Sequence, residues 1–297
     1  MFGALMGNLW NIARKEFVDF MESRFIIIVT LIFLITFSIN AYSVNANYYT
    51  HGSAIGSLLA YSRFGLISGL SQQGLLSTLQ GALCNILLSF GGIIALLMGY
   101  LAISNERRNN ALTTMITKPL FRDTIINGKL LGAVAFLASF FIFISAVYTL
   151  CMILIVGDAF NSIIYAYLTS IPLVIIMALL CVMVYYSYSL IISIFVKNGT
   201  LALFMCALSW LILREVPNIS WNLRVFFGQS VYQSLISIFP ETLIMIPITN
   251  YVGDYARYNG DLINVVLTNS TNFVELGVYL IILIIISYIA FLRRDIS

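Results

Sequence analysis

The sequence contains few charged residues. Only 9% of its 297 residues are charged and 61% are hydrophobic, whereas an average soluble domain has about 25% charged residues. Six stretches lack Asp, Glu, Lys and Arg altogether, namely residues 25–62, 64–105, 130–157, 159–196, 198–213 and 276–292. Because about 20 apolar helical residues cross a bilayer core, this composition excludes an ordinary soluble globular protein and predicts membrane spans.

Residues that bind metals or perform catalysis are also scarce. The single histidine, His51, lies in a polar stretch without a nearby Cys, Asp or Glu. Each of the four cysteines falls in a neutral apolar stretch, without the spacing of a metal site or a disulfide: Cys84, Cys151, Cys181 and Cys206. We find no Ser/His/Asp set around this histidine, no pair of histidines and no pair of carboxylates at a shared membrane depth. We therefore expect no catalytic residue, no metal site and no bound cofactor in this chain.

A nucleotide-binding loop is missing as well. Gly128-Lys129 resembles the end of a phosphate loop, but Asp123 stands where the first glycine is required, and Leu130 stands where Ser or Thr is required. If nucleotide energy drives this protein, ATP and Mg²⁺ must bind to another chain.

The hydrophobic pattern predicts an all-α integral membrane protein with one domain over residues 1–297. We place six spans near residues 25–45, 80–104, 130–156, 170–196, 198–214 and 273–292. No internal repeat or linker separates a second domain. The polar residues within these spans include Asn40, Asn85, scattered Ser and Thr residues and several tyrosines, and Asn40 and Asn85 are candidates for lining a transport path. Packing between helices is the alternative role for polar residues at this depth.

Residues 6–22 precede the first span and have helical periodicity. Their apolar side comprises Met6, Leu9, Trp10, Ala13, Phe17, Phe20 and Met21, and their polar side comprises Asn8, Asn11, Lys15, Glu16, Asp19 and Glu22. This pattern predicts an amphipathic helix in the membrane interface. The alternative is that the helix extends the first span into water.

The distribution of basic residues predicts the orientation. With six spans both termini lie on one side, and that side carries eleven Lys and Arg residues, whereas the other side carries four: Arg63, Arg214, Arg224 and Arg257. Basic residues accumulate on the cytoplasmic side of membrane proteins. The chain is therefore expected to be a multi-pass protein of the cell membrane with both termini in the cytoplasm.

Residues 215–271 lie outside the membrane in this topology, although they are too apolar for a solvated loop. Pro240, Pro247 and Gly253 interrupt the segment before either half reaches spanning length. We expect short interfacial or re-entrant helices. The alternative is a tight hairpin of two further spans, which places Pro240 and Glu241 at mid-depth.

The cytoplasmic loop, residues 104–129, combines basic and apolar residues. Pro119, Leu120, Phe121 and Arg122 are followed by Asn127-Gly128. Proline suits the first turn of a helix and Asn-Gly suits its end, so residues 119–126 are expected to form about two helical turns. A solvated connector has no need of Leu120 and Phe121, which favours docking onto a partner protein.

These features together resemble the permease subunits of ABC type-2 exporters, particularly the branch of the nitrous oxide reductase maturation permeases. The resemblance covers most of the chain. It rests on Ala13-Arg14-Lys15-Glu16-Phe17 before the first span, Glu106-Arg107 after the second, Pro119 three residues before Arg122, and Gly128-Lys129-Leu130-Leu131-Gly132.

The resemblance implies roles for several residues. Arg14, Lys15, Glu16 and Phe17 would belong to the elbow helix. Pro119, Leu120, Phe121 and Arg122 would form the coupling helix that an ATPase subunit receives. Glu106 and Arg107 would belong to the cytoplasmic gate.

The resemblance also implies partners. Two permease chains, identical or related, would assemble with two ABC ATPase subunits in the lipid bilayer, and no nucleic acid would be involved. The leading hypothesis is therefore a permease subunit, most consistent with export. The alternatives are a non-transporting scaffold for a soluble partner and a secondary carrier.

Overall fold

The computed structural model describes residues 2–32, 34–35, 72–108, 122–156, 158–227, 239–253 and 262–293. Regular structure in these ranges is helical. Residues 24–32 form a helical stretch after Ser23. The labelled helices are α1 (Phe2–Glu22), α2 (Gln72–Arg108), α3 (Arg122–Val156), α4 (Asp158–Asn161), α5 (Ile164–Phe195), α6 (Gly199–Phe227), α7 (Pro240–Gly253), α8 (Leu262–Thr268) and α9 (Ser270–Arg293).

Four of the predicted spans are confirmed as apolar helices long enough to cross a membrane. They are Leu76–Ser104, Thr124–Leu154, Ile164–Phe195 and Ser270–Phe291. The fifth predicted span corresponds to a shorter apolar helix, Gly199–Arg214. The helix continues to Phe227, whereas the sequence prediction ended the fifth span at the charged residue Arg214. Most of the first predicted span, 25–45, lies outside the described residues.

Helix α5 lies at the centre of the bundle and packs most extensively against α2. Small residues allow this close contact. A side chain at Gly99 would collide with the backbone of Tyr186, and Ser193 donates a hydrogen bond of 3.2 Å to the carbonyl of Tyr100. Interfaces between membrane helices are enriched in small and hydroxyl residues because packing and hydrogen bonds drive their association. The α2–α5 pair is thus the frame on which α3, α6, α7 and α9 pack.

The boundary expected at Asn127-Gly128 is wrong. Both residues lie inside α3, which begins at Arg122 and continues without interruption to Val156. Residues 122–126 are therefore the first turns of the span, and residues 119–121 lie outside the described part. Gly128 does not end a helix, and it lies where α1 and α3 cross closely.

The segment between α6 and α9 contains a short helix, α7. Pro240 is its first residue, Gly253 is its last, and Pro247 lies within it. Its 14 residues rise about 21 Å, which is less than a bilayer core. Tyr251 near its end donates a hydrogen bond of 2.8 Å to Gln80 in α2.

Candidate functional site

Helix α1 docks on α3 through a face that includes a charged residue. Ala13, Glu16 and Phe20 are buried, whereas Trp10 and Met21 are 64% and 56% exposed. The sequence pattern placed Glu16 on the polar, outward side of this helix. The structure turns it inward, so the docking face is offset from the apolar face.

Two glycines on α3 let α1 approach closely. A Cβ atom at Gly128 would lie 2.5 Å from a side-chain carbon of Ile12, and one at Gly132 would lie 2.9 Å from the carbonyl oxygen of Ala13. These distances are far below normal contacts. The spacing of four residues puts both glycines on one face of α3, as in small-xxx-small membrane interfaces.

A buried ion pair lies between these glycines. Lys129 Nζ donates a hydrogen bond of 2.6 Å to Glu16 Oε1 and another of 2.8 Å to the carbonyl of Ala102 near the end of α2. The two charged side chains are 1% and 5% exposed. Buried charges are tolerated when they are paired and hydrogen-bonded. Lys129 therefore connects α1, α2 and α3, and we name these contacts the Lys129 junction.

The central helix also reaches the Lys129 junction. The hydroxyl of Tyr186 in α5 donates to the carbonyl of Lys129 at 3.5 Å, and both residues are buried. Edge-to-face contacts of Phe17 and Phe20 with Phe136, each at 5.9 Å between ring centroids, extend the α1–α3 interface along α3. Lys129, seven residues after the start of α3, thus contacts three neighbouring helices.

Arg107 fastens the end of α2 to the end of α5. Its guanidinium donates to the carbonyl oxygens of Ser193, Val196 and Lys197 at 3.0, 2.9 and 3.1 Å. The last carbonyl groups of a helix lack partners within the helix and carry partial negative charge, so a cation there is favourable. Arg107 is therefore a cap of α5 in this structure, and its role as a gate residue stays a prediction.

The remaining predicted site residues occupy different environments. Arg14 and Lys15 are exposed on α1, and Lys15 forms a surface pair with Asp19 at 3.9 Å. Asn85 is half-buried in α2, where its carbonyl accepts a hydrogen bond from Ser89. The other predicted site residues lie outside the described residues or side chains: Asn40, Glu106, Pro119, Leu120, Phe121 and the Arg122 side chain.

The Gly128-Lys129-Leu130-Leu131-Gly132 motif contributed to the family resemblance, but its structural role was not predicted from the sequence. The available signal was a lysine between Gly128 and Gly132, just before the neutral run that begins at Leu130. Its partner, Glu16, lies 113 residues earlier, so local periodicity could not identify the pair. Among the described residues, no three His, Cys, Asp or Glu side chains come together as metal ligands.

The long apolar helices, which Lys129 and Arg107 fasten to one another, define a multi-pass membrane protein. The chain belongs to the ABC-2 family of transporters, because residues 10–296 match the family described as ABC-2 family transporter protein. Membership identifies the chain as the membrane component of a transport system and implies an ABC ATPase as its partner. No curated protein gives a match to the chain.

Proposed function

We propose that this chain is the permease subunit of an ABC exporter and that it couples its transport path to ATP hydrolysis on a separate ATPase subunit. The observation that carries this proposal is the Lys129 junction, which fastens α1, the end region of α2 and the first turns of α3 to one another. The family match over residues 10–296 supports the same assignment. ATP and Mg²⁺ bind to the ATPase in this proposal.

The contacts suggest how motion passes from the loop to the bundle. The loop joins Arg108 at the end of α2 to Arg122 at the start of α3. Pro119, Leu120, Phe121 and Arg122 dock in a cleft of the ATPase. Because Lys129 bonds to both α1 and α2, displacement of the loop moves these helices with α3 as one rigid body.

Arg107 provides a second way for motion of the loop to reach the bundle. Its three hydrogen bonds hold the last turn of α5 and the start of the connection to α6. A shift of α2 therefore also moves α5, the helix at the centre of the structure. In this proposal Glu106 and Arg107 form the cytoplasmic gate, and their movement opens or closes the path.

The complete transporter in this proposal contains two permease copies, identical or related, and two ATPase subunits. The path runs between the permeases, with Asn40 and Asn85 as candidate lining residues. The α1 helix, including Arg14, Lys15, Glu16 and Phe17, serves as the elbow helix. The nitrous oxide reductase maturation branch is the branch that the sequence motifs favour.

Two alternatives to an ABC permease were a scaffold and a secondary carrier. A scaffold retains a soluble partner but does not change its activity. Copurification of an ABC ATPase with the chain, followed by measurement of its ATP hydrolysis with and without the permease, separates this case from a transporter. Membership of the ABC-2 family argues against a secondary carrier.

The proposed topology has a direct test. We expect a cysteine introduced at Asn259 to react with an impermeant thiol reagent added to intact cells, and one at Asn110 to react only after the cells are opened. The reason is the eleven-to-four distribution of basic residues. The unsubstituted chain is the control, because three of its native cysteines are buried and Cys151 is partly buried. Labelling at 110 in intact cells, with 259 protected, would reverse the orientation.

A further inference from the structure

Helix α1 keeps an exposed apolar surface beside the face that packs on α3. Trp10, Val18 and Met21 on this surface are exposed, because the helix turns Glu16 toward the bundle and turns part of its apolar side away from it. Exposed apolar groups that lie together mark a surface that a membrane or another protein covers. The component that covers α1 can be inferred from where this surface lies and which charges it carries.

The contacts of α1 place this surface at the edge of the membrane. Ile12 and Ala13 lie against Gly128 and Gly132 of α3. The charge-free run of α3 begins at Leu130, so these contacts lie where the span enters the hydrocarbon of the bilayer. The exposed side chains of α1 therefore lie at the level of the lipid headgroups.

The exposed apolar surface continues beyond α1. Residues 24–32 form the helical stretch that begins the first predicted span, and their exposed apolar side chains are Phe25, Ile27, Ile28, Leu31 and Ile32. Apolar side chains exposed at the start of a span meet the hydrocarbon of the bilayer. Continuity with this stretch favours lipid as the component that covers the exposed surface of α1.

The exposed part of α1 has two sides of different character. Because a helix turns about 100° per residue, Trp10, Arg14 and Met21 lie within about 40° of one another around the axis, and we name them the Trp10–Arg14 flank. Lys15 lies about 100° from Arg14, and it pairs with Asp19 at 3.9 Å. The Trp10–Arg14 flank is therefore an apolar side with one cation, whereas the side of Lys15 is polar.

Among the side chains of α1 that the structure describes, no exposed carboxylate lies on the Trp10–Arg14 flank. Asp19 and Glu22 are exposed, but they lie about 140° and about 80° from Arg14 around the axis. Arg14 itself is exposed as well. A lipid headgroup with a net negative charge therefore meets a cation on this flank and no repelling carboxylate.

We propose that the Trp10–Arg14 flank binds the headgroup of an anionic phospholipid. A guanidinium group pairs with a phosphate through two parallel hydrogen bonds. Tryptophan suits the membrane interface, because its ring is apolar and its N–H group donates to polar groups. A zwitterionic lipid also has a phosphate, but its ammonium group finds no carboxylate among the described side chains of the flank. The site thus favours lipids with a net negative charge.

Quenching of tryptophan fluorescence by brominated lipid tests this preference. The full chain is reconstituted in vesicles of phosphatidylglycerol and phosphatidylcholine in equal amounts, with bromine atoms on the acyl chains of one lipid or of the other. The sequence has three tryptophans, so the signal of Trp10 is the difference between the unsubstituted chain and Trp10→Phe. We expect about a fivefold local excess of phosphatidylglycerol, the effect of one basic residue near anionic lipid. Equal quenching of Trp10 by the two lipids would overturn the proposal.

Two neighbouring cations of α1 provide a matched pair of variants. Arg14→Gln should remove the excess, so that the two brominated lipids quench Trp10 equally. Lys15→Gln also removes one exposed cation, but from the polar side of the helix, and it should leave the excess unchanged. If Lys15→Gln lowers the excess as much as Arg14→Gln does, the attraction belongs to the total charge of α1 and the proposed site is wrong.

The measurement also shows whether lipid covers the flank at all. If neither brominated lipid quenches Trp10, a protein covers the flank and the lipid site is wrong. The inference goes beyond the proposed function, because it requires only that the chain lies in a membrane, and the vesicles contain no ATPase. Failure of the proposed function would appear separately, as an ATPase that the permease does not stimulate.

Discussion

Replacing Lys129 with methionine is expected to destabilise the protein by about 3–5 kcal/mol, because Glu16 stays buried without the ammonium group that lies 2.6 Å from it. The carbonyl of Ala102 loses the same donor. Thermal unfolding of the purified chain in detergent measures this change. Methionine keeps an unbranched side chain that is only one heavy atom shorter, so the loss reports chiefly on the charge and its hydrogen bonds.

Two companion variants show whether the effect comes from the buried pair. Lys15→Met removes a surface pair whose side chains are 47% and 52% exposed, and it should change stability by at most about 1 kcal/mol. The double variant Glu16→Leu with Lys129→Met should recover most of the loss, because no buried charge remains. If Lys129→Met unfolds at the same temperature as Lys15→Met, the Lys129 junction does not fasten the helices.

Changing Phe121 to aspartate is expected to release the ATPase subunit from the permease. By area, Phe121→Ala loses about 2 kcal/mol of docking energy, which corresponds to about thirtyfold weaker binding. Phe121→Asp also places a charge in an apolar cleft and should weaken the complex further. Copurification of the ATPase with a tagged permease measures both changes.

The control for Phe121 is an exposed phenylalanine within a membrane span. Phe143 in α3 is 51% exposed, and Phe143→Ala should leave the amount of copurified ATPase unchanged. Both variants should insert into the membrane normally, since Phe121 lies outside every predicted span. Wild-type copurification and transport with Phe121→Asp would show that the loop is not the coupling element.

The spans were predictable because their signal is local. A neutral run of sufficient length can satisfy its backbone only as a helix in lipid, so composition alone located the four confirmed spans. The loop boundary was less predictable. Asn127-Gly128 has the local chemistry of a helix end, but Gly128 lies inside α3. A glycine stands there because the approach of Ile12 leaves no room for a side chain.

The buried charged contacts were not predictable, because each joins residues far apart in the sequence. Periodicity assigned Glu16 to water, since an isolated helix has no reason to bury a carboxylate, and its partner Lys129 lies 113 residues away. Glu241 accepts a hydrogen bond from Tyr185, which lies 56 residues earlier. The sequence placed Glu241 at mid-depth only in the alternative with two further spans, because Pro240 and Pro247 interrupt this segment before it reaches spanning length.

The central claim is that the permease transmits work from an ATPase, and ATP hydrolysis in lipid vesicles tests it most directly. The ATPase subunit that copurifies with the chain is assayed alone and again after reconstitution with the wild-type permease. The account predicts a faster rate with the permease, and predicts that Phe121→Asp returns the rate to that of the ATPase alone. An ATPase that binds the permease but hydrolyses ATP at the same rate with and without it would contradict the account and identify the chain as a scaffold.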